Sequence, residues 1–181
     1  STRRHTRYGH VTGVQTCALP IYDPQRNRPA CGAKQPAVAD YVETAFYCAA
    51  GDFVAWDDVT LSPALYEQGG DFAVATMIAV QYAKAVQDRL GITAAAQARQ
   101  LHSDCLTGTW AADLFAQRRP SGLSLSPGDL DEAIVAMLNL GEAPTTLEPG
   151  GRGNATGFQR VTAYQRGFVG GLKACATIIG G

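Results

Sequence analysis

Histidine is scarce in this sequence, and several familiar catalytic signatures are missing. Only three histidines occur among 181 residues. There is no G-x-G-x-x-G, no phosphate-binding glycine loop and no C-x-x-C pair. The missing motifs argue against a dinucleotide-binding domain, a P-loop enzyme and a zinc ribbon.

Strong net charge and long apolar runs are absent as well. The formal net charge is −1, so the composition gives no reason to expect nucleic-acid binding. No apolar run is long enough to span a bilayer. The length suits one domain with a sizeable core.

Residues 1–21 look foreign to the rest of the chain. Val11 to Ile21 reads as the translation of a common sequencing-adaptor sequence; the alternative is a basic, disordered tail. We therefore treat 1–21 as artefactual or disordered and 22–181 as one domain, and we expect true upstream sequence, with any signal or membrane anchor, to be missing. Without 1–21 the charge becomes −4, since three of the 15 basic residues leave and all 16 acidic ones stay, and His102 is the last histidine.

Four cysteines remain once Cys17 is set aside: Cys31, Cys48, Cys105 and Cys175. An even number of spaced cysteines favours two disulfides and an oxidising compartment. Four reduced, buried thiols in a cytosolic protein are the alternative. The spacing leaves all three pairings open.

One helical stretch, Asp71 to Leu90, organises the chain. Its apolar residues recur at three- and four-residue steps, and its other face carries little charge, which indicates a central helix covered on both faces. Asp71 is expected to cap the first turn, and Gly91 to end the helix.

The other elements are predicted around this helix. Thr44–Cys48 and Asp52–Trp56 predict a β-hairpin, with Phe53, Ala55 and Asp57 on one face and Val54 and Trp56 on the other. Asp57 and Asp58 are expected at a solvated strand end. Further helices are predicted at 38–43, from Ser62 to Gly69, and at 94–117, 129–140 and 157–170. The fold class is therefore α+β, mostly helical, with a small sheet packed on a central helix.

Several separated motifs resemble those of the bacterial neutral zinc metallopeptidases and occur in that family's order. They are Phe46-Tyr47-Cys48 with Asp52 and Asp57, Asp104-Cys105 with Gly108 and Trp110, and the segment Gly157–Phe168. The resemblance covers roughly Cys31 to Cys175. It implies a zincin-like fold, a Cys31–Cys48 and a Cys105–Cys175 disulfide, and a bacterial, extracytoplasmic protein.

The residues that bind zinc in that family are not matched. Its central helix reads roughly A-H-E-x-G-H-x-x-Q, where the histidines bind zinc and the glutamate is the general base. Those positions hold Val80, Gln81 and Lys84 here, and the family's third ligand, a glutamate, is Gln100. The resemblance therefore implies that the zinc and the catalytic residues are lost. Asp104 matches an aspartate that orients a ligand histidine in related zincins.

Lys84 is expected to replace the positive charge of the metal. We expect its ammonium to pair with Asp104, with Gln100 as a neutral hydrogen-bond partner. The alternative is a Lys84 that extends into solvent. His102 is expected to be a surface or partly buried residue and not a ligand.

The sequence thus predicts a catalytically inactive homologue, a pseudoenzyme, that keeps the peptidase cleft for a peptide or protein partner. The expected peptide-binding strand contains Phe53, Val54, Ala55 and Trp56. The alternatives are an active peptidase or hydrolase with a non-standard site, and a purely structural domain. No metal cofactor and no nucleic-acid partner are expected.

Overall fold

The computed structural model describes residues 19–33, 35–118, 122–126, 128–141, 143–148 and 152–180. Most of the segment predicted to be foreign, residues 1–18, lies outside the described residues. The described part of the chain forms a mostly helical α+β fold with three strands and five helices. In chain order these are β1 Ile21–Tyr22, α1 Val38–Tyr41, β2 Ala45–Cys48, β3 Phe53–Asp57, α2 Leu61–Arg89, α3 Ala96–Phe115, α4 Asp129–Asn139 and α5 Gly157–Ile179.

The sheet contains the predicted hairpin and one strand that the sequence pattern did not predict. Its order is β1-β3-β2. Strands β2 and β3 are antiparallel, and β1 runs parallel to the end of β3, with Ile21 opposite Trp56. Ile21 is the last residue of the segment that was set aside, so at least this residue contributes to the sheet.

The two faces of the hairpin pack into different apolar clusters, as the alternation predicts. Val54 and Trp56 join the main core with Phe72 and Met77 of α2. Ala55 lies on the other face, in a smaller cluster with Phe46, Cys48, Tyr22 and Tyr41. The sheet therefore packs on the central helix through one face, and its edge lies beside that helix.

Helix α2 is divided by a kink at Gly70, where φ is 78° and ψ is −170°. The two parts correspond to the predicted short helix and the predicted central helix, and Gly91 follows their end with φ of 64°. The expected cap by Asp71 is wrong. Thr60 occupies the N-cap position before Leu61, and the carboxylate that accepts from Phe72 N is that of Glu132 on α4, at 2.8 Å.

Helices α3 and α5 approach each other closely because glycines face one another. A Cβ at Gly108 would lie 1.9 Å from the Tyr164 carbonyl oxygen, and one at Gly167 would lie 1.8 Å from that of Cys105. Beyond a kink at Gly171, α5 continues to Ile179. The short C-terminal tail expected after residue 170 is thus helical.

Both disulfides that the resemblance implied are present. Cys31–Cys48 ties the segment before α1 to β2, and Cys105–Cys175 ties α3 to the end of α5. Two disulfides indicate an oxidising, extracytoplasmic environment. Among the helices of the described residues, none combines the length and the apolar character that crossing a membrane requires.

Candidate functional site

One face of α2 points at the first turns of α3. Val80, Lys84 and Gln87 lie at i, i+4 and i+7, which places them on one helix face, and all three are buried. The amide nitrogen of Gln87 donates to the Arg99 carbonyl at 2.8 Å. This bond places the part of α3 that carries Arg99 and Gln100 beside the end of α2; Val80, Lys84 and Gln100 are the residues predicted at the positions of zinc ligands.

Lys84 forms a buried ion pair with Glu148, a residue of the segment between α4 and α5. Its Nζ donates to Oε2 at 2.8 Å and to Oε1 at 3.1 Å, and the two side chains are only 10% and 14% exposed. Glu148 Oε1 also accepts from the backbone N–H of Tyr47 on β2, at 2.9 Å. One carboxylate therefore joins the central helix to the sheet.

The expected Lys84–Asp104 pair is wrong, because Arg160 of α5 takes both oxygens of Asp104. Its Nε donates to Oδ2 at 2.9 Å and its Nη2 to Oδ1 at 2.8 Å, and Nη1 donates to the Leu140 carbonyl. The planar guanidinium matches the two oxygens of a carboxylate, which a lysine ammonium does not. Asp104 thus connects α3 to α5.

Gln100 is covered by the segment that leads into α5. Its Oε1 accepts from Ala155 N at 2.9 Å, and a Cβ at Gly153 would lie 2.0 Å from that oxygen. The glycine therefore allows the backbone to close over the amide. The position that corresponds to the third zinc ligand is held by the chain's own backbone.

The residue at the general-base position, Gln81, is fully buried as a neutral amide. Its Oε1 has no hydrogen-bond partner among the described residues. A carboxylate in the same surroundings would carry a larger desolvation penalty than an amide. An amide also cannot accept the proton of an attacking water at neutral pH.

These residues do not fit a zinc ion. Valine has no donor atom, and the ammonium of Lys84 is held by Glu148. The amide oxygen of Gln100 already accepts a hydrogen bond. Zinc sites in proteins use thiolate, imidazole or carboxylate ligands, and none of the three side chains supplies one.

His102 is buried, contrary to the expectation of a surface or partly buried residue. Its Nδ1 lies 2.9 Å from the amide nitrogen of Gln87. Since that nitrogen also donates to the Arg99 carbonyl, Nδ1 is the acceptor and the ring is neutral. Burial lowers the pKa of His102, because the imidazolium would lose its hydration. His102 thus links α2 and α3.

The strand expected to bind a peptide is the central strand of the sheet. Residues Phe53–Trp56 pair along their whole length with Cys48–Ala45 of β2, and β1 lies on the other side of Trp56. Because β1 pairs only with Trp56 and Asp57 at the end of β3, peptide binding along Phe53–Ala55 stays a prediction, and the outer side of β2 is a second edge for a peptide. On β2, the N–H of Tyr47 is already paired with Glu148.

Asp57 is a buried anchor of the sheet, and the expectation of a solvated strand end is wrong for it. Its carboxylate accepts from Glu43 N and Val59 N, each at 2.9 Å, and from the N–H and the hydroxyl of Thr60. Burial by itself would raise the pKa of Asp57, but these hydrogen bonds outweigh it and lower the pKa. Asp57 therefore fixes the turn from β3 into α2.

An apolar groove lies between α2 and α3, on faces of the two helices that do not carry the predicted ligand positions. Its volume is about 700 Å³, and its lining includes Ala79, Tyr82 and Val86 of α2 and Trp110 of α3. On α2 these residues lie away from the face that carries Val80, since successive residues turn by about 100°. The groove contains none of the positions that correspond to zinc ligands.

Glu148 and Arg160 are the site residues that the sequence did not identify. Arg160 lies in Gly157–Phe168, a segment that matches a family motif. The motif could therefore have identified Arg160 as a candidate partner of Asp104. Glu148 lies in a loop rich in glycine and proline, where no pattern indicates a partner for Lys84.

The comparison with protein-family models found a match. The model of the family described as "Putative neutral zinc metallopeptidase" matches residues 12–178. The chain therefore belongs to this family, and the match begins inside the segment that was set aside. The searches of curated proteins and of solved structures found no match.

Proposed function

We propose that this chain is a non-catalytic member of the family that binds no zinc and binds a peptide or protein partner outside the cytoplasm. The observation that supports this most is the Lys84–Glu148 pair. At the position of a zinc ligand, it places a cation that is neutralised by the chain itself.

The charge at this position opposes a metal. An ammonium in the place of an imidazole offers no lone pair to a divalent cation, and its pair with Glu148 leaves no net negative charge to attract one. Glu148 is the carboxylate at this site, and Lys84 already compensates its charge. A zinc ion would have to displace the lysine before it could use Glu148.

The groups that a hydrolase needs are also missing at the corresponding positions. Gln81 offers no base, and His102 is held neutral between α2 and α3 by Gln87. General-base catalysis needs a group within hydrogen-bond reach of the attacking water. The arrangement is therefore suited to recognition and not to hydrolysis.

Two features favour a binding role over a purely structural one. The sheet edge directs the N–H of Tyr47 toward the site, and Lys84 supplies a cation beside it. Edge N–H groups and cations are the groups that recognise an extended peptide and its carboxylate. The disulfides indicate that the partner is met in an oxidising compartment.

The proposal is tested on the full chain, made under oxidising conditions. Its melting temperature is measured with excess zinc and with a chelator, and cleavage of fluorescently labelled casein is followed in both. We expect no zinc-dependent shift and no cleavage. Cleavage that the chelator abolishes would contradict the proposal and would indicate an active enzyme with a non-standard site.

A restored variant serves as the control for the ligand positions. It carries Val80→His, Gln81→Glu, Lys84→His and Gln100→Glu. We expect zinc to raise its melting temperature, because two imidazoles and a carboxylate then face one another across α2 and α3. A folded variant without any response to zinc would show that these positions do not converge.

A further inference from the structure

We infer that Lys84 and the Tyr47 N–H form a carboxylate-recognition site, which Glu148 fills from within the chain and which the carboxyl terminus of an extended peptide occupies in its place. This inference rests on the proposed function and deepens it, since it names the chemistry by which the cleft recognises a partner.

The first support is the convergence of two donors on one carboxylate. The ammonium reaches both oxygens of Glu148 at 2.8 and 3.1 Å, and the Tyr47 N–H reaches one of them at 2.9 Å. Charge-assisted hydrogen bonds of this kind are stronger than neutral ones. Together the three contacts satisfy both oxygens of one carboxylate.

The second support is that the donors are rigid while the occupant belongs to a loop. Lys84 lies in the middle of α2, and Tyr47 lies in a paired strand, so both positions are fixed before any ligand arrives. Glu148 lies on residues 143–148, which are held by Leu147 and Ala143 against the smaller apolar cluster. Because those two residues anchor the loop, the exchange requires rotation of the Glu148 side chain and not opening of the loop.

The third support is the direction of the backbone along β2. Asp57 N donates to the Thr44 carbonyl, so in an antiparallel ladder Phe46 and Cys48 also direct their backbone groups to β3. Tyr47 therefore directs its N–H away from β3, toward the open edge. A peptide lying along this edge would use the same N–H, and its terminal carboxylate would meet Lys84.

The first experiment uses acetate as a probe of the site. In Glu148→Ala, the side chain is removed, and the melting temperature is measured with increasing sodium acetate against sodium chloride of equal ionic strength. We expect a saturable rise with acetate only. The control is Lys84→Met/Glu148→Ala, in which we expect acetate and chloride to act alike.

Two outcomes of the acetate experiment would overturn the inference. One is a folded Glu148→Ala protein that shows no saturable response to acetate. The other is an equal response in the double variant, because acetate would then act without Lys84. If Glu148→Ala does not fold, Glu148→Ser replaces it, since its short side chain also leaves room for acetate beside Lys84 and the Tyr47 N–H.

The second experiment tests the peptide itself. Fluorescence anisotropy compares labelled Ala-Thr-Ala-Thr-Ala-Thr with a free carboxyl terminus and with a terminal amide, on the wild type and on Glu148→Ala. We expect the free carboxylate to bind about tenfold more tightly than the amide, and Glu148→Ala to bind it about tenfold more tightly than the wild type. Equal binding of the two peptides by Glu148→Ala would contradict the inference.

Zinc content is measured on the same samples. Bound zinc together with the acetate response would contradict the proposed function and leave the carboxylate site standing. A zinc-free protein without the acetate response would contradict only the carboxylate site.

Discussion

The α3–α5 interface and the inner face of α2 both contain positions of the family's motifs, and they differ in what occupies those positions. On α3, Asp104, Cys105 and Gly108 match the motif, and each makes a direct contact with α5. On α2, Val80 and Lys84 are the residues predicted at the positions of the motif's histidines. The residues that join α3 to α5 thus agree with the motif, whereas the residues predicted at the metal positions differ from it.

The two buried ion pairs show the same difference. Arg160 and Asp104 are 4% and 0% exposed and are joined by two parallel hydrogen bonds. Lys84 and Glu148 are slightly more exposed and link a helix to a loop. Membership of the family therefore accounts for the fold, whereas the chemistry of the cleft has to be derived from this chain's own residues.

The largest effect is expected from breaking the Arg160–Asp104 pair. Arg160→Met leaves the Asp104 carboxylate buried without its partner, so we expect the free energy of unfolding to fall by about 3–5 kcal/mol. Urea denaturation measures it. The control is Arg166→Met, which removes an exposed arginine of the same helix and should change stability by less than about 0.5 kcal/mol. Similar losses of stability in both variants would contradict a specific contribution of the Arg160–Asp104 pair.

A second test of the same interface is Gly108→Ala. The added methyl group meets the Tyr164 carbonyl oxygen, so the helices must separate, and we expect a loss of about 1–3 kcal/mol. Gly141→Ala is the matched control, because a Cβ there meets nothing within 4 Å. A Gly108→Ala protein as stable as the wild type in thermal or urea unfolding would refute the close approach of α3 and α5.

For the ion pair of the inner α2 face, the change that removes the partner of Lys84 is Glu148→Gln. It leaves the Lys84 ammonium without its charged partner while an oxygen remains for the Tyr47 N–H, so we expect a loss of about 1–3 kcal/mol. Lys84→Met/Glu148→Gln removes both charges, keeps an acceptor for the Tyr47 N–H and should remain within about 1 kcal/mol of the wild type, as replaced buried pairs often do. A double variant less stable than the single one would show that the pair itself is required.

The smallest effect is the pH dependence that His102 adds. Because the folded protein lowers the pKa of His102, the unfolded chain binds its proton first as the pH falls. The contribution of the neutral ring to the free energy of unfolding is therefore fully present above about pH 6.5. It is lost as the pH falls toward the pKa that His102 has in the folded protein. In His102→Gln, we expect a flatter stability profile below pH 6.5 by urea denaturation. An unchanged slope would contradict a neutral, buried ring.

Most of the fold follows from local patterns in the sequence. The hairpin, the central helix with its break at Gly70, and the helix that starts at Asp129 are all indicated by apolar spacing and by glycines. Strand β1 is not, because a two-residue strand has no periodicity. The cap of Phe72 by Glu132 could not be predicted either, since it comes from a residue that is distant in sequence.

For the candidate site, the sequence predicts which residues stand at the ligand and base positions, but not the partners that the structure gives them. The motif comparison places Val80, Gln81, Lys84 and Gln100 at the ligand and base positions, and all four are buried. Which carboxylate pairs with Lys84 depends on how the loop before α5 crosses the cleft. Such a crossing is a tertiary feature that leaves no pattern in the chain.

The most direct test of the central claim is the zinc content of the full chain. The protein is made under oxidising conditions, incubated with excess zinc and desalted, and bound zinc is measured by atomic emission spectroscopy. We expect a folded protein with no stoichiometric zinc, because Lys84 and Glu148 already neutralise each other at the ligand position. One tightly bound zinc per chain would contradict the account and would mean that the metal uses other residues.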